Sequence, residues 1–198
     1  MESKGKYKFK RFKEELSQES FAGFFDFYFT RLIQFATTII RSEILAEEIV
    51  LDVFLKLWQQ RNMLDKINNI ETYLFIAVRN KSINVLKKEQ QFHFDLLEDF
   101  HIQLADYKPS AEISLIENEM LEALNQAVIQ LPAKCKIIFK LIREDGLSRN
   151  EVAQVLNISV KTVDNQVAIA VKKIAEQLNI DLSNPKNSRG LTASLLTL

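Results

Sequence analysis

Lys161, Thr162, Asn165, Gln166, Lys172 and Lys173 stand close together near the end of a 198-residue chain. Hydroxyls and amides of this kind hydrogen-bond to base edges, and ammonium groups hold phosphates. The chemistry they offer is non-covalent recognition of DNA. To act together they must leave one side of a helix. Val163, Val167, Ile174 and either Ala170 or Val171 recur at helical spacing and predict the opposite, inner face.

A second helix must sit across this one. Ser148 followed by Glu151 has the form of a capping box, in which the serine hydroxyl accepts from a first-turn N–H and the glutamate returns to the serine N–H. A helix therefore starts at about Arg149, buries Val152, Ala153 and Leu156, and stops at Asn157, a residue that tolerates the left-handed conformation. Ser159 caps the next helix. Small Ala153 allows close approach of the two helices, and Ile158 fills the angle between them. The pattern is a helix-turn-helix, although a plain helical hairpin in an all-helical core would share the capping box and the amphipathic faces.

Composition narrows the class. Four glycines and three prolines leave little room for hairpins or phosphate-cradling loops, and apolar residues recur at three and four throughout, so the expected fold is all-α. Cys135, the single cysteine, lies in the apolar run CKIIFKLI and reads as core filler. His93 and His101 lack any surrounding ligand pattern, so no metal, no cofactor and no catalytic residue is expected, and the chain is not read as an enzyme. The basic start, Lys4 to Lys13, precedes an aromatic stretch that Asp26, Arg31 and Gln34 interrupt, so neither a signal peptide nor a membrane span is expected. A cytoplasmic location follows as the expectation.

The formal net charge is zero, but it is unevenly distributed. Residues 1–88 carry 15 Lys and Arg against 11 Asp and Glu, residues 89–119 one against eight, and residues 120–198 ten against seven. Two mildly basic lobes flank an acidic connector. The boundaries read as a basic amino-terminal segment at 1–20, a first lobe at 21–88, the connector at 89–119, a second lobe at 120–178 and a tail at 179–198.

In the first lobe, a helix from about Phe21 to Ile40 carries the stripe Phe24, Phe25, Tyr28, Leu32, Phe35 and Ile39, which reads as core. A second, from about Ser42 to Arg61, turns Ala46, Ile49, Val50, Val53, Phe54, Leu57 and Trp58 inward. Leu51 and Leu55 lie to the side among Glu47, Glu48, Asp52, Lys56 and Gln59; a protein docking surface and a wide buried stripe account for them equally. A polar loop is expected between Asn62 and Asn69. The third helix, Ile70 to Lys88, is expected to face Leu74, Ile76, Ala77, Ile83 and Leu86 inward and Arg79, Asn80, Lys81, Asn84, Lys87 and Lys88 outward, with Tyr73 and Phe75 close by. Aromatics beside cations and amides suit a single-stranded nucleic acid; a solvated basic helix over core aromatics is the other reading. In the second lobe, helices are expected over Ser110 to Gln130 and about Ala133 to Arg143, the latter opened by Pro132.

Three blocks, AEEIVLDVFLKLWQQR at 46–61, YLFIAVRNKSINVLKK at 73–88 and LPAKCKIIFKLIREDGLSRNEVAQVLNISVKTVDNQVAIAVKKI at 131–174, stand in that order across the acidic connector. Together they resemble an RNA polymerase sigma factor of the extracytoplasmic-function (ECF) group of the sigma-70 family, over about residues 20 to 178. The resemblance implies two small helical domains joined by a flexible acidic linker, acting as a transcription initiation factor with core RNA polymerase (its β and β′ subunits), promoter DNA and a membrane-bound anti-sigma factor as partners. It implies that Asp52, Leu55, Lys56 and Trp58 dock on the polymerase, in what corresponds to region 2.2. Residues 62–69 with Tyr73, Arg79, Asn80 and Asn84 would capture an unstacked base of the minus-10 element, while Lys87 and Lys88 hold the backbone. Arg149, Lys161, Thr162, Asn165, Gln166, Lys172 and Lys173 would read the minus-35 duplex. The linker would thread the RNA path of the polymerase. Arg149-Asn150, Gln166 and Lys87-Lys88 depart from the family's common residues and bear on promoter preference. The rival function is a stand-alone helix-turn-helix regulator whose amino-terminal lobe senses a ligand or dimerises.

Overall fold

The structure is a computed structural model that describes residues 4–88 and 115–180, with the side chains of 115–121 left aside. Every regular element among the described residues is helical. The chain divides into two compact units, one on each side of the connector. Most of that connector and the tail after residue 180 lie outside the described residues, so the expected linker path has no structural account.

In the first unit, α1 (Lys4–Glu15), α2 (Gln18–Ile40), α3 (Glu43–Gln59), a short 3-10 helix (Arg61–Lys66) and α4 (Ile70–Lys88) follow one another. Serine hydroxyls set two of the starts. Ser17 accepts from the Ser20 N–H at 3.2 Å and Ser42 from the Leu45 N–H at 3.3 Å, each satisfying a first-turn donor that has no helical partner. Asn69 does the same for α4, its Oδ1 accepting from the Thr72 N–H at 3.0 Å. Helix α2 ends where Arg41 turns left-handed and returns its N–H to Thr37 O at 3.0 Å.

The basic segment expected ahead of the first lobe is in fact α1, and it belongs to the core. Alternation of Lys with Phe9 and Phe12 over KYKFKRF disguises a helix whose apolar side is narrow. Phe12 is fully buried, with its ring 5.6 Å from that of Phe24 and 6.0 Å from that of Trp58. Gly5 is needed where α1 meets α2, because a Cβ there would collide with the Tyr28 hydroxyl. Lys13 pairs with Asp65 at 2.7 Å and ties α1 to the 3-10 helix. The expected stripe of α2 is buried at Phe24, Tyr28, Leu32, Phe35 and Ile39, whereas Phe25 is half-buried and stacked on Phe29. The expected polar loop after α3 is the 3-10 helix, pinned by buried Leu64.

Helix α4 has its expected bounds but a different inner face. Ile70, Leu74, Phe75, Val78 and Ser82 are buried; Ile76, Ala77, Ile83 and Leu86 are only partly so. Phe75, expected beside the outer cations, points into the core and meets the Phe35 ring edge-on at 5.0 Å. With apolar residues on most sides of this helix, spacing alone did not fix its rotation; contact with α2 and α3 did.

In the second unit, α5 (Leu115–Ile129), α6 (Ala133–Arg143), α7 (Arg149–Leu156) and α8 (Val160–Gln177) enclose a core of Ile138, Phe139, Leu141, Val152, Leu156, Val163, Val167 and Ile174. Pro132 caps α6. Gly146, at φ 68°, makes the turn that lets the Leu147 N–H return to Leu141 O at 3.0 Å. This turn delivers the chain to α7.

Candidate nucleic-acid interface

The α7–α8 pair is built by local hydrogen bonds. The Ser148 N–H donates to Glu151 Oε2 at 2.6 Å and the Glu151 N–H to Ser148 Oγ at 3.3 Å, a closed capping box. Asn157 adopts φ 57°, and the Ile158 N–H reaches back to Ala153 O at 3.0 Å, closing α7 in a Schellman-type turn. Ser159 then caps α8 through the Thr162 N–H at 3.0 Å. Val163, Val167, Ala170, Val171 and Ile174 are all buried. Lys161, Asn165, Lys172 and Lys173 are exposed on the other side, and Thr162 and Gln166 are half-buried at its edge.

Four of the expected readers have partners that the sequence did not reveal, one of them Lys172, whose ammonium lies 3.9 Å from Glu176 on the same helix. Arg149 Nε pairs with Asp164 Oδ1 at 3.1 Å and bridges the two helices. Thr162 shares a hydrogen bond with Ser159 at 2.8 Å. Gln166 accepts through Oε1 from the thiol of buried Cys135 on α6, at 3.0 Å. Burial pushes the Cys135 thiol above its ordinary range, so it remains a donor at neutral pH. The outermost row of α8 is thus Lys161, Asn165 and Lys172, with Lys173 to one side. Cys135 is buried as expected, but its bond to Gln166, the Arg149 partner Asp164 and the exposed Ile169 were not foreseen; Ile169 alone, out of step with the buried stripe, left a signal in the sequence.

The second basic surface is on α4. At 100° per residue Tyr73, Asn80, Asn84 and Lys87 lie within about 40° of one line along the helix, with Lys88 beside them. Asn80, Asn84, Lys87 and Lys88 are exposed and Tyr73 is half-buried. Arg79 donates from Nε and Nη2 to Asn80 Oδ1 at 3.1 and 2.8 Å. The Asn80 oxygen is therefore occupied, and its amide hydrogens are the group presented outward.

On α3, Ile44, Leu51 and Leu55 form an exposed apolar line, 81%, 45% and 54% accessible. Asp52, with Lys56, flanks it and is ion-paired to Lys81 of α4. Between the two readings of Leu51 and Leu55, exposure decides against a wide buried stripe. Trp58 is placed differently from the other expected docking residues: its ring lies 4.9 Å from Phe21, with the Arg61 guanidinium 4.7 Å from its centre. It is half-buried and anchors α1 and α2 to α3.

A helical protein in two units, the second ending in a capped helix-turn-helix with a cationic outer row, falls in the class of helix-turn-helix DNA-binding proteins. Residues 24–92 match the family Sigma-70 region 2, and residues 121–174 match the family Sigma-70, region 4. The ECF RNA polymerase sigma factor SigW of Bacillus subtilis (strain 168) is 23% identical over 168 residues, spanning 81% of this chain and 90% of that protein. Among solved structures, that of CnrH in complex with the cytosolic domain of CnrY is similar with a TM-score of 0.49 at 18% identity, covering 88% of this chain and 97% of that one. The chain belongs to the sigma-70 family, in its extracytoplasmic-function group. Among the described residues, no helix is long and apolar enough to cross a membrane, and no group of His, Cys, Asp or Glu is placed to hold a metal.

Proposed function

We propose that this chain binds core RNA polymerase through the first unit and selects promoters by presenting α4 to the minus-10 element and α8 to the minus-35 element. The observation that carries the reading is the pairing, in one chain, of a region 2 match over 24–92 with a region 4 match that ends in the capped helix-turn-helix. Polymerase supplies the chemistry. The chain supplies placement: two weak readouts held on one enzyme add through their effective concentration.

The exposed line Ile44, Leu51 and Leu55, with Asp52 and Lys56 beside it, is the polymerase-docking surface in this reading. Half-buried Trp58 bounds that surface at the C-terminal end of α3, with its ring packed on Phe12 and Phe21. Tyr73, Asn80 and Asn84 capture an unstacked base, stacking and amide hydrogen bonds offsetting a few kcal/mol of lost pairing, while Arg79 orients Asn80. Lys87 and Lys88 neutralise phosphates. On α8, Lys161 and Asn165 face base edges and Lys172 and Lys173 the backbone, with Arg149 and Gln166 at the margins of the row. Regulation is by a membrane-bound anti-sigma protein that competes for these surfaces. Support for such a partner lies in the ECF membership of the chain. The cytoplasm, where polymerase acts, is the corresponding location.

The test is capture of core polymerase by the tagged full-length chain. Stoichiometric recovery of β and β′ is expected. Their absence, with the protein folded and free of any inhibitor, would favour a stand-alone regulator.

A further inference from the structure

Helix α8 carries one large apolar side chain on the wrong side, beyond the small methyl group of exposed Ala168. Val163, Val167, Ala170, Val171 and Ile174 all face the core, but Ile169 is 40% exposed. At 100° per residue Ile169 lies about 40° from Asn165 and one turn further along, between the row of Lys161, Asn165 and Lys172 and the flanking Lys173. It therefore stands apart from the buried stripe and keeps part of its side chain open to solvent. A β-branched residue also gives a helix less than Lys, Gln or Arg would at the same exposed position.

Single exposed apolar residues are common on proteins. The surroundings of this one are specific: an amide one turn before it and the ammonium groups of Lys161, Lys172 and Lys173 along the same helix. That charge suits a phosphate-lined groove. In the major groove the base edges are hydrogen-bond donors and acceptors, with one apolar exception, the C5-methyl group of thymine. Isoleucine has nothing to offer a donor or an acceptor and would strip water from either without replacement. Against a methyl group it gains by burial.

We propose that Ile169 is a specificity-determining residue that reads a thymine of the minus-35 duplex through its C5-methyl group. The inference rests on the reading of α8 as the minus-35 helix. Asn165, one turn earlier, reads an adjacent base pair. The partners of neighbouring side chains agree with this division: Gln166 is drawn aside by Cys135, and Arg149 by Asp164, leaving Asn165 and Ile169 side by side on the exposed face.

Deoxyuridine lacks only the methyl group of thymine, which makes it the direct probe. Promoters are first selected from a library randomised in the minus-35 region, using the full chain bound to core polymerase. A thymine fixed at one position is expected. Replacing it with deoxyuridine should weaken holoenzyme binding about fourfold, the value of one buried methyl group. I169A should bind the thymine promoter correspondingly less well and should no longer distinguish thymine from deoxyuridine. The unfolding transition of I169A, at an exposed position, should match the parent.

No fixed thymine, equal binding of both bases by the parent chain, or continued discrimination by I169A would each overturn the proposal. So would an I169A defect confined to polymerase or inhibitor binding, which would make this surface a protein contact. Scrambling the whole minus-35 region separates the two levels. If the parent is indifferent to scrambling, the reading of α8 itself fails; if scrambling matters and the methyl group does not, only the role of Ile169 fails.

Discussion

The thiol of Cys135 on α6 donates to Gln166 Oε1 on α8 across 3.0 Å, tying the edge of the exposed face of α8 to the core beneath it. The bond needs the protonated thiol. Because burial raises the thiol in the folded chain, its contribution to stability is full below the ordinary thiol range and is lost as pH rises from that range through the higher native value. Denaturant unfolding across this alkaline window should show a steeper loss for the parent chain than for C135A. Identical slopes would remove the thiol from the account.

Phe12 is fully buried between Phe24 and Trp58, which makes α1 part of the first unit rather than an appendage. F12A should cost about 3–5 kcal/mol, the usual loss for a buried phenylalanine. G5A should cost about 1–3 kcal/mol through forced displacement of Tyr28, whose hydroxyl donates to Glu71 at 3.2 Å. Unfolding free energies near the parent for both would mean that α1 is dispensable.

Leu51 and Leu55 are exposed, so charging them should leave the fold intact. L51E combined with L55E is expected to weaken capture of core polymerase at least tenfold, since buried charge at the centre of an interface is costly. The unfolding midpoint should stay within a degree or two of the parent, as about 0.5 kcal/mol is the usual limit for surface changes. Undiminished capture would remove this line of α3 from the docking surface.

Tyr73 and Asn80 share one face of α4. Y73A and N80A should slow promoter opening, read with a fluorescent base at the minus-10 element, while polymerase capture is unchanged. Base-stacking platforms lose about 1–3 kcal/mol per base on truncation. R79A should reproduce part of the N80A defect, because Arg79 holds the Asn80 oxygen. Parallel loss of capture and opening would point to a folding defect instead.

The capping box gives a local test of the second unit. S148A should destabilise it by about 0.5–2 kcal/mol, and binding to minus-35 DNA should fall with the population of folded α7. K172A with K173A should instead weaken binding to all duplexes alike and flatten the salt dependence by about one or two counterions. A sequence-selective effect of the lysine pair would place them at base edges.

Where hydrogen bonds are local, the sequence by itself was sufficient. Ser148 with Glu151, Asn157 and Ser159 set the ends of α7 and α8 within a few residues, and the structure has each bond where those side-chain types require it. The same holds for the buried stripe of α8, which a single repeating period specifies. The three sequence blocks also determined the family, because their order along the chain is independent of any contact. Only the tertiary structure decided the rest. It turned Phe75 inward, since α4 is apolar on several sides and its rotation is chosen by α2 and α3. It recruited α1, whose narrow apolar face has meaning only against Phe24 and Trp58. And it joined Arg149 to Asp164, Asp52 to Lys81 and Cys135 to Gln166, pairs separated by 15 to 31 residues that no local spacing brings together. Periodicity reports which side of a helix avoids water; which neighbour covers it, and which polar group then finds a partner, depends on distances that exist only once the helices have packed.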